Sequence, residues 1–137
     1  LVATLRVCRE VVRRWNGQGA RGDRSIVNVT SIAARTGAPG EYVWYAASKA
    51  GVEALTVGLA KEVAGAGIRV NAVSPGTTDT TIHVRAGRPD RAFEVGARSP
   101  LGRPATPDEI AAAVEWLTTT DAGYVTGTVL DVAGGVR

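Results

Sequence analysis

The sequence predicts an α/β domain built on a parallel sheet, and three observations lead there. Segments of helical and strand-like pattern alternate along the chain in the order α-β-α-β-α-β, which implies right-handed crossovers between parallel strands. The strand-like runs are short and rich in β-branched residues, and Ser25–Thr30 reads as a buried one. The long central helix is small or apolar on several faces, so it needs cover on more than one side.

The first segment places Leu1, Leu5, Cys8, Val12 and Trp15 at helical spacing with arginines and Glu10 between them, so 1–16 reads as an amphipathic helix stopped at Asn16-Gly17. Ser25-Ile26-Val27-Asn28-Val29-Thr30 reads as a buried strand. A loop with Gly37, Pro39 and Gly40 precedes a helix over 43–64, in which Val52, Leu55, Leu59 and Val63 are apolar and Ala46, Ala47, Ala50, Ala54 and Gly58 are small. Ile68-Arg69-Val70-Asn71-Ala72-Val73 is a second strand, closed by Ser74-Pro75-Gly76. The next thirty or so residues read as irregular, longer than a structural connection needs, and the stretch 80–103 is expected to be a binding loop or lid. Thr106-Pro107-Asp108-Glu109 opens a helix with capping-box spacing and proline at its first position, and Ile110, Ala113, Val114 and Leu117 form its core face. A third strand is expected over 126–132, ended by Gly134-Gly135. Three strands are thin for this class, so the fold reads as incomplete.

Composition narrows the function. The 137 residues are 45% hydrophobic and 21% charged, which excludes a disordered or fibrous chain. No apolar run reaches the roughly 18 residues of a membrane span, and the arginine-bearing start has no signal-peptide cleavage pattern. The net charge of +3 is spread along the chain without aromatic interleaving, which disfavours a nucleic-acid groove. The single cysteine, Cys8, forms no internal disulfide and sits on an apolar stripe, so a reducing, cytoplasmic setting is expected. The chain contains no methionine and opens Leu1-Val2-Ala3. Either a non-ATG start is written literally or, the reading favoured here, the chain is a piece of a longer protein.

Several motifs carry no chemistry. Gly17-Gln18-Gly19-Ala20-Arg21-Gly22 matches the dinucleotide-binding pattern, but it follows a helix and precedes a strand, so no helix N-terminus faces a phosphate, and it reads as a plain loop. His83, the only histidine, has no cysteine or carboxylate at ligand spacing, so no metal site is expected. The sequon at Asn28 lies on a buried strand. Trp44 reads as helix packing or as part of a substrate wall.

Tyr45-Ala46-Ala47-Ser48-Lys49 is informative. Positions i and i+4 share a helix face, and a fixed ammonium beside a phenol favours its phenolate, so the pair suits proton exchange with an alcohol oxygen. Ser31 stands just past the end of a buried strand, where open α/β sheets bind ligands. The blocks Ile26–Ser31, Tyr45–Val52, Gly67–Gly76 and Gly123–Gly135, taken in this order, closely resemble the short-chain dehydrogenase/reductase family from residue 1 to 137. The stretch Gly37–Val43 resembles its sugar-dehydrogenase-like branch.

The resemblance implies one domain over 1–137, a partial Rossmann-type, doubly wound parallel sheet comprising the family's last three strands and their helices, with its N-terminal half missing. It implies NAD or NADP as cofactor and hydride exchange between a secondary alcohol and a carbonyl compound. Tyr45 matches the catalytic tyrosine, Lys49 the lysine that also holds the nicotinamide ribose, and Ser31 the serine that holds the substrate oxygen. Ser31 lies fourteen residues before Tyr45, one more than usual, which points to an insertion near Pro39-Gly40; Thr30 is the rival. After Pro75 and Gly76, the backbone of Thr78 and the side chain of Thr80 match positions facing the nicotinamide carboxamide and the pyrophosphate. The family's glycine-rich loop, its adenine-ribose selector and its N-N-A-G segment are not in the sequence, and its catalytic asparagine would fall just before Leu1. The choice between NAD and NADP is therefore not written here. A non-catalytic remnant that folds or associates but binds no dinucleotide is the alternative. The resemblance also implies a homodimer or homotetramer formed through the helices 1–16 and 43–64.

Overall fold

A computed structural model describes residues 1–17 and 24–137. The Gly17–Gly22 loop reading falls on residues 18–23 and so lies outside the described residues, apart from Gly17. Three parallel strands, β1 (Arg24–Val29), β2 (Ile68–Pro75) and β3 (Val129–Val132), pair in the order β1-β2-β3. The register sets Arg24 beside Ile68 and Val29 beside Val73, then Ala72 beside Val129 and Pro75 beside Val132. The chain is thus an α/β, Rossmann-like half-sheet with β2 at its centre.

The alternation along β2 sorts the helices. Ile68 and Val70 pack against Ala60 and Val63 of α3 (Val43–Val63), with Val12 and Trp15 of α1 (Val2–Gly17) at the margin. The odd residues face α6 (Pro107–Thr118): the Arg69 guanidinium donates to the carbonyls of Leu117, Thr119 and Ala122 at 2.8–3.1 Å, and Ser25 donates to Leu117. A buried arginine is tolerated because it satisfies carbonyls that the end of α6 leaves unpaired. Helices on both faces explain why β2 is buried from Ile68 to Ser74. Cys8 is buried, donates weakly to Asn28, and burial raises its thiol pKa above the ordinary value; Asn28 in turn donates to Thr56 of α3.

The α6 start is as the sequence predicts, with Thr106 accepting from the Glu109 N–H and Glu109 accepting from the Thr106 N–H. The strands differ at their ends. β1 spans 24–29 rather than 25–30, β2 runs on to Pro75, and β3 is confined to 129–132. Two corrections concern the connections. A short α2 (Ala33–Thr36) follows β1, and the stretch expected to be irregular holds α4 (Thr81–Arg85) and α5 (Arg91–Gly96). The Thr80 hydroxyl starts α4 by accepting from the Ile82 N–H. Among the described residues, no helix is long and apolar enough to cross a membrane.

Candidate active site

β1 and β2 end side by side, and the main chain extends their pairing: the Thr30 N–H donates to the Val73 carbonyl at 2.8 Å and the Ile32 N–H to the Pro75 carbonyl at 3.0 Å. Ser31 is held between these two bonds. Its oxygen accepts from the Ala33 N–H at 3.2 Å, which leaves the hydroxyl proton to donate elsewhere. Thr30 also borders the cleft, but it is buried and its hydroxyl is engaged with Glu53 and with the Val73 carbonyl, both at 3.2 Å. Of the two rivals, only Ser31 has a proton to offer.

Tyr45 and Lys49 lie one turn apart at the start of α3. The Lys49 ammonium donates to the Val29 carbonyl at 2.8 Å and stands 5.5 Å from the centre of the Tyr45 ring. Burial lowers the Lys49 pKa from the ordinary lysine value. The Tyr45 side chain is 41% exposed and faces the cleft.

Beyond β2, Gly76 makes a tight main-chain approach. Its N–H donates to Val132, and a Cβ there would stand 2.8 Å from the Ala133 Cα, so only glycine fits. Thr78 pairs with Ala105 in a parallel bridge, and its hydroxyl donates to the Gly76 carbonyl. Thr80 spends acceptor capacity on capping α4 and keeps its hydroxyl proton.

Ser31, Tyr45, Lys49, Pro75, Gly76, Thr78 and Thr80 all border one cleft of about 1210 Å³. That is somewhat above the roughly 300–1,000 Å³ of a pocket for one small ligand. The cleft also takes in residues the sequence reading passed over. Glu41 and Tyr42 precede α3, and Arg91 opens α5. His83, whose Nε2 stands 3.1 Å from the Thr78 carbonyl, borders the cleft from α4. Glu41 and Tyr42 lie in the loop before α3, and His83 and Arg91 on helices too short for periodicity, so spacing carried no signal that they border the cleft. Trp44 is corrected: at 87% exposure it neither packs nor borders the cleft. Among the described residues, no group of three or more His, Cys, Asp or Glu side chains is placed to hold a metal ion.

Residues 1–137 match a family model described as Enoyl-(Acyl carrier protein) reductase. An uncharacterised oxidoreductase of Escherichia coli (strain K12), YgfF, is 47% identical over 93% of this chain and 52% of its own length. Acetoacetyl-CoA reductase of Allochromatium vinosum is 38% identical over 99% of this chain and 53% of its own. A solved 4-hydroxyisoleucine dehydrogenase complexed with NADH superposes on the whole chain with TM-score 0.87 at 29% identity, over 56% of its own length. The chain spans about half the length of the curated relatives it matches.

Proposed function

The chain belongs to the short-chain dehydrogenase/reductase family, and from that premise we propose that it carries the reacting end of an NAD(P)-dependent oxidoreductase that interconverts a secondary alcohol and a carbonyl compound, residues 1–137 forming one partial NAD(P)-binding domain. The observation that carries this reading is the tie from Lys49 to Val29, which sets an ammonium beside the Tyr45 ring in a cleft shared with Ser31.

A nicotinamide cofactor fits the donors present. Lys49 spends one ammonium hydrogen on Val29 and has two for ribose hydroxyls, while Thr80 has a hydroxyl proton for a phosphate oxygen. The Thr78 backbone stands beside them, past the Pro75-Gly76 turn, for the carboxamide. When bound, the cofactor supplies hydride exchange at carbon. The protein's part is proton chemistry: Ser31 donates to the substrate oxygen and holds it, Tyr45 gives a proton to that oxygen in reduction or removes one in oxidation, and Lys49 stabilises the phenolate. NADH bound to the 4-hydroxyisoleucine dehydrogenase supports the cofactor class. The alcohols and ketones named for relatives support a small, uncharged reacting carbon with variable attachments.

A homodimer or homotetramer through the helices 1–16 and 43–64 belongs to this reading. It is supported by small, exposed positions on α3, Ala47, Ala54 and Gly58, and by exposed Leu5. A reducing, cytoplasmic setting is supported by the free, buried Cys8. The second reading, a chain that associates without binding dinucleotide, is supported by the same exposed positions on α3 and α1, which need no nucleotide to associate. Titration with NADH and NADPH, followed by nicotinamide fluorescence, separates the two. In the full-length parent, saturable binding and turnover of a ketone panel are expected, with Tyr45→Phe losing at least about a hundredfold in kcat while its circular dichroism is unchanged, whereas residues 1–137 alone are expected to show no saturable binding. No saturation of the full-length parent with either nucleotide would favour the second reading, and turnover of Tyr45→Phe within a few-fold of the parent would remove Tyr45 from its role.

A further inference from the structure

The lid leaves and rejoins the body through a narrow neck. Thr78 pairs with Ala105, the Asp79 N–H donates to the Ala105 carbonyl, and the Ala105 N–H donates to Thr77. Its second half docks on the tail, with the Leu101 N–H on the Gly134 carbonyl and Pro100 packed against Gly135, while Gly96 packs against Pro104 at the neck. Its first half, α4 and the start of α5, is tied differently. Arg91 places its guanidinium on the Glu41 carboxylate and 5.9 Å from the centre of the Tyr42 ring. Arg88 reaches the same carboxylate at 3.4 Å and Glu94 at 3.3 Å. Glu41 and Tyr42 are themselves fixed, both N–H groups donating to the Ala38 carbonyl, and Tyr42 caps the helix whose first turn carries Tyr45.

The burial within this cluster is uneven. The Arg91 side chain is 14% exposed against 40% for Glu41, and the Arg91 Nε is buried with no partner. An arginine in that position depends on its one carboxylate, because losing the partner leaves a charge out of water with too few acceptors. We propose that Glu41 and Arg91 are positioning residues of the site: their pair holds the first half of the lid against the start of the catalytic helix, and so sets the shape of the substrate side of the cleft. Without Glu41, Arg91 turns out to solvent and takes the start of α5 with it. Arg88, half exposed and shared with Glu94, contributes less. The effect on substrate rests on the oxidoreductase reading above, whereas the coupling itself does not.

Hydrogen exchange followed by mass spectrometry tests the coupling without turnover. In Glu41→Gln and in Arg91→Gln, amides of 86–97 should exchange about fivefold faster or more, with β2 unchanged as the internal control. The double variant should exchange no faster than the faster single one, because the two changes remove the same pair. Unchanged exchange in the lid, or single effects that multiply in the double variant, would overturn the proposal. If β2 also loosens, Glu41→Asp decides, since it keeps the charge but shortens the reach: intermediate exchange confined to 86–97 supports the pair, and parental exchange overturns it. Where ketone turnover is measurable, Glu41→Gln should raise KM about fivefold with kcat within about twofold, because Tyr45, Lys49 and Ser31 are untouched. A loss confined to kcat would contradict the assignment.

Discussion

The two sides of the cleft are built from different materials. On the sheet side, Ser31 is held by main-chain bonds that prolong the β1–β2 ladder, Lys49 is tied to the Val29 carbonyl, and Gly76 is pressed against Ala133. On the lid side, the first half rests on ion pairs from Arg88 and Arg91 to Glu41, and the second half ends in the half-exposed Arg103–Glu109 clasp. Main-chain bonds between buried strands do not titrate and vary little with salt. Ion pairs do both; the exposed pairs of Arg88 and Arg103 are worth little singly, whereas the pair of Arg91 with Glu41 is tied to the burial of Arg91. The groups proposed for proton chemistry therefore sit where geometry is fixed, and the groups that shape the substrate side sit where charge can retune it.

The sharpest way to break this contrast is to attack the sheet side at the buried charge of Arg69. Arg69→Met removes the donors to Leu117, Thr119 and Ala122 and leaves those carbonyls facing an apolar side chain. We expect a loss of about 3 kcal/mol in urea unfolding, spread over the whole fold because α6 is detached from β2. A loss no larger than that of a lid variant such as Arg103→Ala would show that the sheet side is no stiffer than the lid.

A smaller effect separates neighbouring residues within the sheet side. Thr30→Val removes hydroxyl bonds to Glu53 and to the Val73 carbonyl at a buried position, so a cost of about 1–2 kcal/mol in stability is expected with kcat nearly unchanged. Ser31→Ala should do the reverse, costing little stability and most of the turnover, since the hydroxyl proton of Ser31 has no partner within its own turn. Equal effects of the two on turnover would leave Thr30 a rival for the substrate oxygen.

The same division decides what could be read from the sequence. Tyr45 and Lys49 were legible because an i, i+4 pair is local, and so was the Thr106–Glu109 box, which spans three residues. The parallel sheet was legible from the α-β alternation and from short runs rich in β-branched residues. The lid was not. Its helices are shorter than two turns, too short for periodicity, and the partners that hold it lie far away: Glu41 is 47 residues from Arg88 and 50 from Arg91. The pair from Arg35 to Asp131, which ties α2 to the end of β3, spans 96 residues. Trp44 misled because apolar character carries no direction; on the first turn of α3 it points to the open side.

The smallest expected effect concerns pH, and it sharpens the contrast from the lid side. Glu109 is held at a pKa of about 2, first by hydrogen bonds from Arg103 and then by the Thr106 N–H, against an ordinary value of 4.5. A carboxylate whose folded pKa is depressed contributes stability that is fully present above the unfolded value. That contribution is lost as pH falls from about 4.5 through about 2, when the carboxyl takes a proton and Arg103 loses its acceptor. Glu10 is held at about 2 by Arg13 and Arg14 on α1, which makes it a control remote from the cleft. Both carboxylates are about half exposed and solvent-screened, so the change in global stability is small and the local readout is the informative one. Carboxyl carbon shifts should give titration midpoints near 2 for both residues. Between pH 6 and pH 3, the advantage of the parent over Glu109→Gln in amide protection at 106–110 should shrink, while Glu10→Gln leaves that segment unchanged. A Glu109 midpoint at the ordinary value would mean that the clasp does not persist in solution, and the second half of the lid would then rest on the docking of Leu101 and Pro100 and the packing of Gly96 alone.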